Sequence, residues 1–311
     1  MLSDFLTTWL SRTYRLNAPH VSLLRAYTND AYLVRTSTAR YVMKLYAPGW
    51  RTNEAISWEL ELIAHLGQCG IPTPQPMTGP DGLPLQGVAL DGTFRQAVLY
   101  PFAEGEKPTP PFSPELYCRE GRSIARLHAA LDSFRSTHHR SHLDLDSLVW
   151  RPLEGIRALL PDHPAVPSMA SSTETIATRM ESYIASGLDH GPCHGDVTFD
   201  NVHMTRDGTF IWYDFDSGGP GWRTIDLQGW AAHHPDYGTR FDAFITGYRE
   251  VRSLSAVDIA AAPFAHLAQE IWGIHVALYR HIAPGGIEAM YAHLQSESER
   301  IAARLRQLEA T

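Results

Sequence analysis

The residues with the clearest chemical potential lie in one stretch, residues 194–216, which reads HGDVTFDN followed by VHMTRDGTFIWYDFD. The pair Asp207-Gly208 stands between two apolar runs, which predicts a hairpin with a two-residue turn. Such a turn places Asn201 directly opposite Asp214 at the open end of the hairpin. An amide oxygen and a carboxylate side by side form half of a Mg²⁺ site, because this ion prefers oxygen ligands and completes its shell with water and phosphate.

A third polar side chain, Asp196, lies in the loop that leads into this hairpin, five residues before Asn201. A carboxylate there can face the same space and accept the proton of an attacking hydroxyl group. The stretch therefore supplies a base and two metal ligands, which is the set that phosphoryl transfer needs. The alternative is that such side chains only cap helices or close Asx turns, and this would account for Asp200.

Near the N-terminus, three strand-like runs (VSLLRAY, AYLVRT and YVMKLY) within residues 21–46 predict a meander. A helix over about 54–67 follows, with Asn53 as its N-cap. On this helix Glu59 shares a stripe with apolar residues, and a buried carboxylate needs a partner. Lys44, in the middle of the third strand, is the predicted partner. On the strand pattern alone, Lys44 could equally lie on a solvated sheet face.

The rest of the chain supplies further strands and then helices. Strands are predicted near 85–89 and 94–100, a helix from about 114 to 133, and one strand pair near 202–213 among later helices. The histidine-rich STHHRSH, 136–142, is predicted to be a solvated linker rather than a metal cluster. A last helix carries an apolar stripe made of Ile287, Met290, Tyr291, Leu294, Ile301 and Leu305.

Composition narrows the class of protein. The net charge of −8 argues against a nucleic-acid partner, which selects clustered Lys and Arg. The three cysteines lack CxxC spacing, so we expect neither a disulfide framework nor a zinc site. The N-terminus is a poor signal peptide, and no stretch reaches the roughly 18 apolar residues that span a bilayer. We therefore expect a cytoplasmic protein without a membrane partner.

The order and spacing of these motifs resemble the aminoglycoside phosphotransferase and choline kinase-like family. Residues 194–201 match its HGD-x4-N catalytic loop, and residues 214–216 match the segment called DFG in protein kinases, with Asp216 in place of glycine. The resemblance implies an α+β, bilobal protein-kinase-like fold. Its small N-terminal antiparallel-sheet lobe would comprise residues 1–102, and its larger, mostly helical catalytic and substrate-binding lobe residues 103–311.

The resemblance also implies ATP as the phosphoryl donor. Lys44, oriented by Glu59, would bind the phosphates. Asn29, in the glycine-free turn AYTND, would approach the phosphates as well. The segment LYPFAEGE resembles the hinge that receives adenine, and it contributes Tyr100 and Phe102.

The implied catalytic residue is Asp196, as the base, with Asn201 and Asp214 as ligands of Mg²⁺. Asp226, in IDLQGW, resembles the aspartate that anchors the catalytic loop of this family, and His128 is predicted to serve packing rather than chemistry. The candidates for the substrate site, each equally compatible with packing or surface exposure, are His233, His234, Asp236, Glu270, Trp272 and His275.

The predicted function is transfer of the γ-phosphoryl group to a hydroxyl of a small acceptor. The net acidity weakly favours a cationic acceptor, such as an aminoglycoside or another antibiotic-like compound. A metabolic kinase of the homoserine or choline type is the alternative, followed by a non-catalytic nucleotide-binding module. A protein kinase is disfavoured, because nine residues separate Asp216 from Asp226 and no APE sequence occurs.

Overall fold

A computed structural model describes residues 2–90, 92–227, 237–280 and 286–310. The strands, numbered along the chain, are β1 His20–Ala26, β2 Asp30–Arg35, β3 Arg40–Leu45, β4 Gln86–Leu90, β5 Thr93–Pro101, β6 His190–Cys193, β7 Val202–Met204, β8 Phe210–Trp212 and β9 Gly219–Trp222. The helices are α1 Leu2–Tyr14, α2 Asn53–Gln68, α3 Pro114–Leu131, α4 Arg151–Leu159, α5 Val166–Ala185, α6 Tyr237–Arg249, α7 Ala256–Tyr279 and α8 Gly286–Glu309.

The chain divides into two compact units, which are described separately. The first unit comprises Met1–Pro110, Ser133–Arg140 and Phe199–Asp216. The second unit comprises Pro111–Asp132, Ser141–Thr198 and Ser217–Thr311. None of the described helices is long and apolar enough to cross a membrane.

The first unit is built on a five-stranded antiparallel sheet in the order β1-β2-β3-β5-β4, which confirms the predicted meander and the two later strands. Successive side chains of a strand point to opposite faces. Met43 and Leu45 of β3 therefore join α1 in one apolar core, where Leu6 and Leu10 are fully buried. Lys44 points to the opposite face, on the side where the apolar residues of α2 pack.

Helix α2 begins one residue away from the predicted cap. Thr52, not Asn53, is the N-cap, and its hydroxyl oxygen accepts a hydrogen bond from Ala55 N at 3.1 Å. Asn53 is already the first helical residue. Both side chains favour the position, so the sequence alone did not decide between them.

The hairpin of β7 and β8 differs from the predicted one by one residue of register. Met204 pairs with Phe210, and Thr205 N donates to the Thr209 carbonyl at 3.0 Å, so the loop has three residues, 206–208, and ends in Gly208 at φ +83°. This is the three-residue hairpin loop that closes with a left-handed glycine. As a result Asn201 lies opposite Tyr213, whose N–H donates to the Asn201 carbonyl at 3.0 Å. The prediction that Asn201 stands directly opposite Asp214 is wrong.

The second unit is mainly helical, with an apolar core formed by α4, α5, α7 and α8. Helices α3 and α6 approach closely because both carry glycine: a Cβ on Gly121 would lie 2.0 Å from the Phe244 carbonyl oxygen. The pairing of β6 with β9 was not predicted, since HGPC and GPGW show no strand alternation. In the predicted stripe of α8, Ile287 is 59% exposed, whereas Met290 and Leu294 are buried.

Candidate active site

The first polar cluster is centred on Lys44, in the first unit. Its Nζ lies 3.0 Å from Glu59 Oε1 and 3.1 Å from Asp214 Oδ1. Glu59 is 1% exposed, and its second oxygen accepts the Tyr46 hydroxyl at 3.1 Å. Burial by itself lowers the pKa of Lys44, but the surrounding carboxylates, Glu59 foremost, raise it well above its ordinary value. The predicted pairing of Lys44 with Glu59 is present, and Lys44 is held as a cation.

Asp214 supplies a carboxylate oxygen beside this lysine, and Asn201 lies at the start of the same hairpin. Asp214 directly follows Tyr213, the hairpin partner of Asn201, and its side chain is 44% exposed. A partly exposed carboxylate and an amide oxygen suit Mg²⁺, which usually keeps several waters. The donor set therefore fits the metal that the resemblance implies. Asp214 adopts φ +64°, a left-handed conformation that is unfavourable for a residue with a Cβ.

Asp216 is the most heavily bonded acidic residue of the cluster, and it is 4% exposed. Its main-chain carbonyl accepts from Arg51 Nη2 at 2.7 Å and also from Arg140. Burial alone would raise the pKa of Asp216, but the cations around it, Lys44 foremost, hold that pKa well below its usual range. The carboxylate accepts hydrogen bonds from the side chains of Asn29 at 3.2 Å, Trp50 at 2.6 Å and Arg51 at 3.3 Å.

The remaining predicted nucleotide contacts are placed as follows. Asn29 spans two groups, accepting from Ala47 N at 3.0 Å and donating to Asp216. Tyr100 packs beside the apolar residues of α2. The Arg40 guanidinium carbon lies 4.3 Å from the centroid of the Phe102 ring. The Phe102 backbone N–H donates to the Arg40 carbonyl. Their roles toward a nucleotide stay predictions.

The segment 136–142 is not a uniformly solvated linker. Arg140 is 5% exposed, and its Nη1 donates to the Ala55 carbonyl of α2 at 3.2 Å. His138 pairs with the partly exposed carboxylates of Glu54 and Glu61 on the same helix. The linker prediction is therefore wrong for Arg140, whose burial follows from its bonds to main-chain carbonyls.

The second polar cluster, in the second unit, holds the HGD segment. The Asp226 carboxylate is fully buried and accepts from the backbone N–H groups of His194 at 2.7 Å and Gly195 at 2.8 Å. His194 Nδ1 in turn accepts from Asp196 N at 3.2 Å. Gln269 of α7 donates to the Gly195 carbonyl at 3.1 Å. The main chain around Asp196 is thus fixed at three successive residues.

Asp226 also contacts His128, which in turn contacts Tyr248, and neither contact was predicted from the sequence. His128 Nε2 lies 3.0 Å from Asp226 Oδ2, and His128 Nδ1 lies 2.8 Å from the Tyr248 hydroxyl. Burial lowers the pKa of His128, and bonds from His128 hold the pKa of Asp226 down despite its burial. The carboxylate can only accept, so Nε2 carries the proton and Nδ1 accepts from Tyr248. The prediction of a packing role for His128 is therefore incomplete.

The predicted substrate residues are spread over described and undescribed parts of the chain. His233, His234 and Asp236 lie outside the described residues. Glu270 is paired with Arg304 at 3.0 Å and Arg300 at 3.7 Å, so its negative charge is already matched within the fold. Of the other two, Trp272 packs against the core of the second unit, and the His275 ring lies over Gly155 of α4.

Several polar residues of the two clusters were missed by sequence reasoning. The strongest local hint was the departure from glycine at position 216, since a carboxylate there demands donors. The donors themselves carry no motif and stand 166, 165 and 76 residues away in Trp50, Arg51 and Arg140. Only the folded chain brings them together.

Comparison with known proteins identifies the family. The sequence model of the phosphotransferase enzyme family matches residues 20–260. An uncharacterized protein of Deinococcus radiodurans is 34% identical over 276 residues, covering 85% of this chain and 78% of the relative. A homoserine kinase of Methylobacterium radiotolerans is 29% identical over 243 residues, covering 76% of this chain and 72% of the relative.

Among solved structures, the microcompartment-associated aminopropanol kinase superposes with a TM-score of 0.78 at 19% identity, covering 99% of this chain and 98% of its own. At that identity the likeness establishes a shared kinase-like fold. The family match covers well over half of the chain and includes the charged residues of both polar clusters. The chain therefore belongs to the phosphotransferase enzyme family, and as a member it is a phosphotransferase that acts on a hydroxyl group.

Proposed function

We propose that this chain is an ATP- and Mg²⁺-dependent kinase that phosphorylates the hydroxyl group of a small amino alcohol. The observation that carries the proposal is Lys44, which is buried as a cation 3.0 Å from Glu59 and 3.1 Å from Asp214. A lysine that is paired with a helix glutamate and lies next to a metal-binding aspartate is the arrangement with which kinases hold nucleotide phosphates.

Each residue receives a role from its surroundings. Asn201 and Asp214 would hold Mg²⁺, which when bound neutralises charge on the β- and γ-phosphates. Lys44 would bind the phosphate oxygens, and Glu59 would keep its side chain in place. Asp196, on the fixed HGD segment, would orient the acceptor hydroxyl and take its proton.

The transfer itself exchanges one oxygen on phosphorus for another. The acceptor oxygen forms a bond to the γ-phosphorus while the bond from that phosphorus to the β,γ-bridging oxygen breaks. ADP leaves, and the hydroxyl proton goes to the Asp196 carboxylate. Most of the rate gain would come from positioning and charge, because the transition state asks little covalent help from the protein.

The acceptor class rests on relatives and on charge. Homoserine and aminopropanol, after which two relatives are named, each carry an amine as well as a hydroxyl group. A net charge of −8 favours the approach of a cation by long-range attraction. Aminoglycosides share the same two groups on a larger frame. They are therefore the second acceptor class to test.

The test is a coupled assay of ADP release with ATP and Mg²⁺ across a panel of acceptors. The panel contains homoserine, aminopropanol, ethanolamine, choline, an aminoglycoside and an amine-free sugar. Asp196→Asn is the inactivated variant. Asp200→Asn is the matched control, because Asp200 lies four residues further on, is 78% exposed and pairs with Lys107.

The expected result is turnover with at least one amino alcohol. Asp196→Asn should reduce it by about 10²–10⁴-fold, the usual contribution of a general base, while Asp200→Asn stays close to the native rate. Turnover with the amine-free sugar alone would overturn the acceptor class. A chain that binds neither ATP nor ADP with Mg²⁺ would overturn the kinase assignment.

A further inference from the structure

The segment that follows the hairpin presents a problem of local conformation. Asp214, the proposed metal ligand, stands at φ +64°, a left-handed region that strains most residues with a Cβ, although Asp adopts it more readily than most. In the related DFG segment the residue two positions after the aspartate is a glycine, which has no side chain to form a bond. Here that position is Asp216, which is buried and bonded through both its side chain and its carbonyl.

Arg51 fixes Asp216 in a way that a single bond could not. Its Nε donates to the Asp216 carboxylate at 3.3 Å, and its Nη2 donates to the Asp216 carbonyl at 2.7 Å. The planar guanidinium thereby locks the side chain and the main chain of one residue together. Trp50, the preceding residue, donates to the same carboxylate at 2.6 Å. Arg140 also donates to the Asp216 carbonyl, and it links this carbonyl to α2.

The Asp216 carboxylate also balances the positive charges of the cluster. Three cations, Lys44, Arg51 and Arg140, face three carboxylates, Glu59, Asp214 and Asp216. If Asp214 turns toward a metal ion, Lys44 loses one of its partners. Asp216 Oδ1 lies 3.8 Å from Lys44 Nζ and still offers it a negative charge. The cluster is therefore arranged to keep Lys44 in place when Asp214 is engaged elsewhere.

We infer that Asp216, Trp50 and Arg51 form a clamp that positions Asp214 for the metal and Lys44 for the phosphates. This inference rests on the proposed function, because it concerns how the same site binds its metal. The clamp residues are positioning residues and do not touch the reacting atoms. Their removal should weaken metal binding far more than it slows turnover once the metal is saturating.

The competing interpretation is that the clamp merely stabilises the first unit. Arg95 allows the two to be separated, because it makes the same kinds of bond in that unit but none of its bonds is to Asp214 or Asp216. Its guanidinium donates to the carbonyls of Tyr46 at 2.9 Å and Leu45 at 3.0 Å, and it pairs with Asp30 at 2.8 Å. Arg95 and Arg51 are also similarly buried, with side chains 16% and 19% exposed.

The experiment compares Arg51→Met, Arg51→Lys and Asp216→Asn with Arg95→Met and the native chain. Binding of Mn²⁺ in the presence of ADP is measured by electron paramagnetic resonance, which needs no turnover. The Mg²⁺ dependence of the rate is measured in parallel, and thermal unfolding records the stability of each variant.

We expect Arg51→Met and Asp216→Asn to raise the Kd of Mn²⁺ by at least about tenfold, the usual effect of losing a group that orients a metal ligand. The rate at saturating Mg²⁺ and ATP should fall by a smaller factor than the Mn²⁺ affinity does, because the clamp residues do not touch the reacting atoms. Arg51→Lys should not restore binding, because an ammonium group cannot form the fork. Arg95→Met should leave the Kd of Mn²⁺ unchanged, even if it lowers the thermal stability by as much as Arg51→Met does.

Two results would overturn the inference. Equal losses of Mn²⁺ affinity in Arg51→Met and Arg95→Met would show that the effect is general destabilisation. Native affinity in both Arg51→Met and Asp216→Asn would show that the clamp does not position the ligand. If the native chain itself binds no Mn²⁺ with ADP, the proposed function fails, and the inference fails with it.

Discussion

The buried carboxylate of Asp226 offers the sharpest test of how the HGD segment is held. It accepts three hydrogen bonds, from His194 N at 2.7 Å, Gly195 N at 2.8 Å and His128 Nε2 at 3.0 Å. Asp226→Asn keeps the size of the side chain but offers only one accepting oxygen. Placed at the Oδ1 position, the new NH₂ group would face the Gly195 N–H and leave that buried donor without an acceptor.

The cost can be estimated bond by bond. An unsatisfied buried N–H costs about 1–3 kcal/mol, and each of the two remaining bonds changes from charged to neutral, at roughly 1 kcal/mol each. The free energy of unfolding should therefore fall by about 3–5 kcal/mol, which also matches the usual cost of disrupting a buried charged network. Tyr248→Phe leaves the buried His128 Nδ1 without the hydroxyl that it meets at 2.8 Å, and it should cost the smaller amount of about 1–3 kcal/mol.

Urea unfolding of both variants measures these two losses, and steady-state kinetics show whether they reach Asp196. Because the main chain at Asp196 is fixed through Asp226, kcat should fall at least about tenfold in Asp226→Asn. The KM for ATP should change by less than about threefold, since the residues proposed to bind the phosphates belong to the first unit. Equal destabilisation by the two substitutions, or a native kcat in Asp226→Asn, would refute this reasoning.

Three further outcomes are expected. Lys44→Met should reduce kcat/KM for ATP by at least about 10²-fold because it removes the phosphate cation, whereas the exposed Lys107→Met should not; equal rates would contradict the phosphate role. Gly195→Ala should yield little folded protein, since its Cβ would lie 2.3 Å from the Ser217 carbonyl oxygen at φ +79°; a stable variant in thermal unfolding would contradict this. Because the pKa of His128 is lowered from 6.5 on folding, the folded chain binds fewer protons there, and stability should fall as the pH drops below 6.5. The acid loss should be smaller in His128→Asn, as measured by urea unfolding from pH 8 to 5, and an equal loss would exclude His128 as its source.

The parts of the site that could be predicted are those set by local periodicity. The stripe of α2 indicated that Glu59 is buried and needs a partner, and this led to Lys44, which the alternation of β3 alone would equally have placed on a solvated face. The HGD-x4-N spacing likewise identified Asp196 and Asn201 as candidates. Such inferences need no knowledge of how distant segments meet.

The parts that could not be predicted depend on distant segments or on closely balanced local choices. His128 and Asp226 are 98 residues apart, and no pattern in either segment indicates the other. The hairpin loop was misassigned because Asp207-Gly208 fits both a two-residue and a three-residue turn. The bonds of Thr205 to Thr209 and Gly208 select the longer one. A shift of one residue then moved Asn201 from Asp214 to Tyr213.

Burial separates the acidic residues of the two clusters into two kinds, which their identity alone could not do. Glu59, Asp216 and Asp226 are almost fully buried, and each accepts hydrogen bonds from neighbouring donors that fix its position. Asp196 and Asp214 remain partly exposed, and the chain beside each is fixed by one of the buried carboxylates. A carboxylate that binds a metal ion or a substrate needs open space in front of it. A buried carboxylate that orients its neighbours instead needs hydrogen-bond donors for its oxygens. This division is why we assign chemistry to Asp196 and Asp214 and positioning to the other three.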